Sequence, residues 1–208
     1  MKKILLLILC AVSAGLSAQK YDQKYMAGAV PVRDGMVTFT QTYEVSGKSK
    51  AEIFTALADY VQKVLVESEN SLPQARITES DASEGLLVAS LEETLYFKQK
   101  AFSTDGTRFF YQLICRVGEG RFDIEMRRIH YIYDITDTPS NETVPDLSYR
   151  AEKWITDEAA LSKDGTKMYR IPGKFRRFTI DRKDQIFQEA AKAAGARIKV
   201  KKYVEVEE

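Results

Sequence analysis

The densest run of side chains able to do chemistry spans residues 163–177. There Lys163, Lys167, Arg170, Lys174, Arg176 and Arg177 are interleaved with Tyr169 and Phe175. Guanidinium forks grip carboxylate and phosphate in pairs of hydrogen bonds, and aromatic faces take cations and sugar rings. Together with Trp154 shortly upstream, the candidate binding residues are Tyr169, Arg170, Lys174, Arg176 and Arg177. The same run also fits a solvated surface loop, or a basic strap lying against an acidic sheet face.

Other chemistry is narrowed by what the chain lacks. It has one histidine, His130, and two cysteines, Cys10 and Cys115, too few for a His/Cys zinc centre within one chain. No EF-hand spacing offers a calcium loop. A Ser-His-Asp or Cys-His apparatus would need His130, which lies between Ile129 and Tyr131 in a strand-like run and reads as a structural histidine. No Gly-x-Ser-x-Gly elbow, P-loop or Gly-x-Gly-x-x-Gly is present, so no catalytic residue, metal or cofactor is assigned. Glu92 and Glu93 are adjacent, and in a strand they point to opposite faces, so they cannot converge on one bond. An enzyme working with other carboxylates, such as a glycan-active hydrolase, stays open.

The elements that must position these groups follow from periodicity. Val37, Phe39, Tyr43 and Val45 alternate with polar residues, as a half-buried strand does. Ser49 stands three residues before Glu52, the spacing of a capping box. A helix over roughly Lys50–Glu67 follows, with Ile53, Leu57, Tyr60, Val61, Val64 and Leu65 as its apolar stripe. Strands are expected at Ala75–Ser80, Gly85–Phe97, Thr107–Val117 and Arg121–Asp134, with turns at Asp105-Gly106 and Gly118-Glu119-Gly120. In the last strand the apolar phase slips between Met126 and Ile129, which a β-bulge at Arg127-Arg128 would produce.

Residues 135–148, with Pro139, Pro145 and the sequon-like Asn141-Glu142-Thr143, read as a loop. Helices are expected over Tyr149–Ala160, with Trp154 and Ile155 inward, and over about Thr179–Ala194, capped by Gly195. This order, β-α-β-β-β-β-α-α with tight turns, is an α+β fold: a curved antiparallel sheet packed on helices.

The N-terminus sets the compartment. Lys2-Lys3, the apolar run Ile4–Leu9 and the small residues up to Ala18 have the form of a cleavable secretory signal. Cys10 follows the large Leu9 inside the apolar run, a poor setting for a lipid-acceptor cysteine. The expected organisation is a signal peptide at 1–18, an irregular lead-in at 19–35, one domain at 36–195 and a charged tail or edge strand at 196–208. No span remains after cleavage, and the product would reside in the periplasm or cell envelope. Its net charge would be −1, a poor fit to nucleic acid. Charge is uneven along the chain: residues 19–162 carry −7 and residues 163–202 carry +9.

Four segments carry a family resemblance. They are Lys24–Pro31 with Asp34-Gly35, Arg127–Tyr131, Ala151–Asp157, and Gly173–Arg177 with Thr179-Ile180-Asp181. In this order they resemble the DUF4468 family of Bacteroidetes secreted proteins, a domain of unknown function. The resemblance implies a TBP-like fold and brings no activity, cofactor or catalytic residue. The expected function is a non-enzymatic envelope module that binds a small ligand or a protein. The alternatives are the glycan-active hydrolase and a peripheral envelope protein making contact through its basic C-terminal part.

Overall fold

The alternation that begins at Met36 becomes one edge of a five-stranded antiparallel sheet. The computed structural model describes residues 22–100, 103–132 and 149–197; the leader, the loop at 135–148 with its sequon, and the tail beyond Arg197 lie outside them. The lead-in is more ordered than its composition suggests. A 3-10 turn, Gln23–Tyr25, is capped by the Asp22 side chain. Strands β1 (Val32–Arg33) and β2 (Met36–Val37) then pair across Asp34-Gly35, both at positive φ.

The main sheet holds β3 (Phe39–Glu44), β4 (Arg76–Asp81), β5 (Leu86–Lys100), β6 (Ser103–Gly118) and β7 (Arg121–Ile132), in the order β3-β7-β6-β5-β4. Its inner face carries the apolar phase: Phe109, Tyr111, Leu113, Cys115 and Val117 on β6 and Phe122, Ile124 and Met126 on β7 are all buried. Helices α1 (Lys50–Tyr60), α2 (Ala151–Trp154), α3 (Asp157–Ala160) and α4 (Arg170–Ala194) complete the fold. One continuous apolar core runs from Val30 to Ala194. Among the described residues no helix is long and apolar enough to cross a membrane.

Strand length forces curvature. The 16 residues of β6 would extend ~50 Å at the rise of a strand, against about 37 Å for the 25-residue α4. Two register shifts bend the long strands: one in β5 at Phe97, between Tyr96 and Lys98, and one in β7 opposite Tyr111. The second is the bulge expected from the phase slip, with Arg128 at φ 53°. The Ser49–Glu52 capping box is also present in full.

Four local expectations are corrected. Asp105-Gly106 is no turn but lies inside β6, since pairing with β5 continues to Lys100 and Ser103. A Cβ at Gly106 would stand 3.1 Å from the Leu95 carbonyl oxygen, so this glycine permits close approach beside the Phe97 bulge. Val64 is exposed, because α1 continues into a wider π-helical turn, Val61–Val66, that rotates it out of the stripe. The helix expected at Tyr149–Ala160 is two, α2 and α3, because the Thr156 side chain accepts from Ala159 N and starts a new helix.

Helix α4 begins nine residues before Thr179, at Arg170. Pro172 falls in its first turn, where no intrahelical acceptor awaits an N–H. Gly173 is required there, since a Cβ would lie 2.7 Å from Met168 Cβ.

Cys115 is buried, and burial pushes its thiol up to about 12. The folded protein is therefore expected to resist a disulfide-exchange reagent that modifies Cys115 at once in denaturant. Rapid labelling of the folded form would place this thiol at the surface instead.

Candidate functional site

The basic run does not converge on one site. Arg176 is wholly buried: Nε donates to Tyr25 O (2.6 Å), Nη1 to Ile155 O (2.7 Å), and Nη2 to Met26 O and Asp157 Oδ1 (both 2.7 Å). The other oxygen of Asp157 accepts from Gly28 N at 2.7 Å. Asp181, one turn along α4, takes Lys24 Nζ at 2.7 Å and the Tyr25 hydroxyl at 2.8 Å. Three of the four segments that carry the family resemblance thus meet in one clamp, which fastens the lead-in to α4.

Lys174 pairs with Asp105 at 2.8 Å and lies 4.4 Å over the Phe97 ring. Trp154 packs between Tyr149 and Phe175. Arg177 is half-buried, whereas Tyr169 and Arg170 are exposed. Lys174, Arg176 and Arg182 spend their charge on Asp105, Asp157 and Glu93, as a basic strap against acidic partners would.

Glu92 and Glu93 do point to opposite faces. Glu92 takes Arg108 Nε at 2.9 Å on the sheet's outer face. Glu93 faces inward, where Arg182 Nη2 donates to Oε2 (2.7 Å), Nε to Oε1 (3.0 Å), and the Tyr111 hydroxyl to Oε1 (3.0 Å). Burial and the Glu93 carboxylate push the Tyr111 phenol well above its ordinary pKa. Nearby, the Tyr60 hydroxyl donates to Glu189 at 3.1 Å. This network is part of the sheet–helix interface.

A different group of cations does surround open space. The bulge at Arg128 forms one wall of a cleft of about 630 Å³. Strand β7 supplies Arg128, Ile129 and His130; the β1–β2 hairpin supplies Gly35 and Met36; and the start of α2 supplies Arg150, Glu152 and Lys153. The extra residue in β7 keeps Ile129 in the core and leaves Arg128 exposed. A left-handed non-glycine residue costs roughly 1–2 kcal/mol, so the pairing on either side must hold it there.

The His130 ring stacks flat on Phe110, with centroids 4.3 Å apart and planes at 8°. His130 also bridges Arg150 through the backbone, which brings α2 to the bulge. Glu152 Oε1 accepts from Val37 N at 2.8 Å, tying the hairpin to the same wall. Among the described residues, Arg128, Arg150 and Lys153 form no ion pair with an acid. No three His, Cys, Asp or Glu side chains gather among the described residues as a metal site would need. The cleft thus presents three exposed cations and an imidazole around one carboxylate already hydrogen-bonded to backbone.

Sequence reasoning found the bulge through its phase slip, but missed Arg150 and Lys153 as its partners. They are joined to it only by the return of the chain after residue 148, which no periodicity reveals.

The family model "Domain of unknown function (DUF4468) with TBP-like fold" matches residues 39–132. A crystal structure of a DUF4468 family protein from Bacteroides ovatus is 34% identical, covers 86% of this chain and 98% of its own, and superposes with a TM-score of 0.73. A TBP-like protein from Parabacteroides distasonis, 21% identical, covers 81% of this chain and 99% of its own with a TM-score of 0.60, a likeness of fold. No curated protein matches the sequence.

Proposed function

Because the chain belongs to the DUF4468 family, a membership that carries a fold and no activity, we propose from its geometry that it is a non-enzymatic binding module. Its ligand is a small anion with an apolar body, held in the bulge cleft. The observation that carries this reading is the set Arg128, His130, Arg150 and Lys153 around one cavity, above an apolar floor of Met36 and Ile129. Cations presented together with no ion-pair partner among the described residues are held apart at a cost that an anion relieves. Residence in the periplasm or cell envelope is part of the proposal and rests on the leader form of residues 1–18.

The test is titration of the purified domain with octanoate and with inorganic phosphate, followed by calorimetry and by the fluorescence of Trp154. That residue is the single tryptophan and the neighbour of Lys153. Arg150→Ala and Arg128→Gly are each expected to weaken binding by about 10- to 100-fold, the loss of one charged hydrogen bond. Arg128→Gly should leave the fold as stable or up to about 1 kcal/mol more stable, since glycine takes a positive φ freely. Binding unchanged in both variants would remove the cleft from the function. Turnover of a bound compound, abolished by one substitution, would overturn the non-enzymatic reading.

A further inference from the structure

Four large apolar side chains stand exposed among the described residues, and two of them, Tyr169 (48%) and Ile171 (51%), are two positions apart. They flank Arg170 at the start of α4, and the loop before them carries Lys163 and Lys167, also exposed. This loop is firmly built. Leu161 and Met168 bridge its base, and both are buried in a small cluster with Met26. Asp164, its acid, is tied down at 2.5 Å to the Ser162 hydroxyl and at 2.9 Å to the Thr166 hydroxyl.

The lead-in enters the fold at the same place. Met26 packs in that cluster, and a Cβ at Gly165 would stand 3.9 Å from Ala27 Cβ.

An exposed loop tied down by its own hydrogen bonds, with a tyrosine and an isoleucine among three cations, has a specific complement. Tyrosine settles at the headgroup level of a bilayer, isoleucine below it, and Lys and Arg reach anionic phosphates while their stems stay in apolar surroundings. We infer that the loop Lys163–Ile171 is a contact surface for an anionic phospholipid bilayer. The surface is separate from the bulge cleft and does not depend on it.

The experiment is co-sedimentation of the purified domain with two vesicle preparations, one of phosphatidylcholine alone and one of phosphatidylcholine and phosphatidylglycerol in equal parts. Binding to the anionic vesicles is expected, weakening about tenfold or more on going from low salt to roughly 0.5 M salt, as screening requires. The double variant Tyr169→Ser/Ile171→Ser and the triple variant Lys163→Gln/Lys167→Gln/Arg170→Gln should each reduce it at least about tenfold. All five positions are exposed, so unchanged thermal melting is the check on folding. Arg128→Gly/Arg150→Ala should bind vesicles as the parent does. Three results would overturn the inference: no binding, equal binding to neutral vesicles, or binding that falls with the cleft variant but survives both loop variants.

Discussion

Replacing Arg176 with methionine is expected to lower the stability of the fold by about 3–5 kcal/mol. The side chain is fully buried and serves three backbone carbonyls and Asp157. Methionine fills the space but leaves the carbonyls of Tyr25, Met26 and Ile155 without their donor. For a domain of this size the melting temperature should fall by roughly 10 °C. Arg176→Lys should recover little, because an ammonium cannot present donors in the fork that reaches all four acceptors. Asp181→Ala removes a partly exposed pair and should cost no more than about 1 kcal/mol. Urea unfolding of the four proteins is the measurement. A change below about 0.5 kcal/mol for Arg176→Met would mean that the lead-in is not fastened to α4.

The second large effect is expected at the Glu93–Arg182 pair. Arg182→Met leaves a buried carboxylate with only the Tyr111 hydroxyl, and should cost about 3–5 kcal/mol. Glu93→Leu should cost less, since Arg182 retains a bond to Gln185 and some contact with solvent. The double variant should come back to within roughly 1–2 kcal/mol of the parent, because two apolar groups in place of an ion pair leave no unpaired charge. Unfolding free energies around this cycle decide the matter. Simple additivity of the two single effects would show that the two side chains do not act as a pair.

Much of the fold is legible in the chain because local periodicity and burial agree along most of it. The alternation on β6 and β7 and the capping box at Ser49 report local geometry, as does the one-residue slip between Met126 and Ile129, and all are observed. Expectations failed where tertiary contact overrides a local signal. Asp105-Gly106 looks like a turn, yet it serves close packing inside a strand. The helix expected from about Thr179 begins at Arg170, because Pro172 and Gly173 are both tolerated in a helix's first turn, the glycine because Met168 lies against it.

The candidate site was harder to read for the same reason. A cluster of basic residues in sequence does not show which of them face solvent. Helical geometry turned Arg176 inward to the lead-in and left Arg170 outside. The cations that do share a cavity, Arg128 and Arg150, are 22 positions apart and meet through one backbone bridge at His130.

The clamp at Arg176 also sets the order in which this protein can become itself. Its donor and the first carbonyl it holds are 151 residues apart. No N-terminal fragment can close that contact, and loop closure over such a span adds an entropic cost that only the finished helix offsets. As the chain emerges from its N-terminus, the Tyr25–Met26 strap waits unfastened until α4 is synthesised. A chain truncated before Arg176 would keep that strap and its apolar Met26 exposed, open to proteolysis. The fold therefore carries its own check of completeness: the beginning is secured only by the arrival of the end.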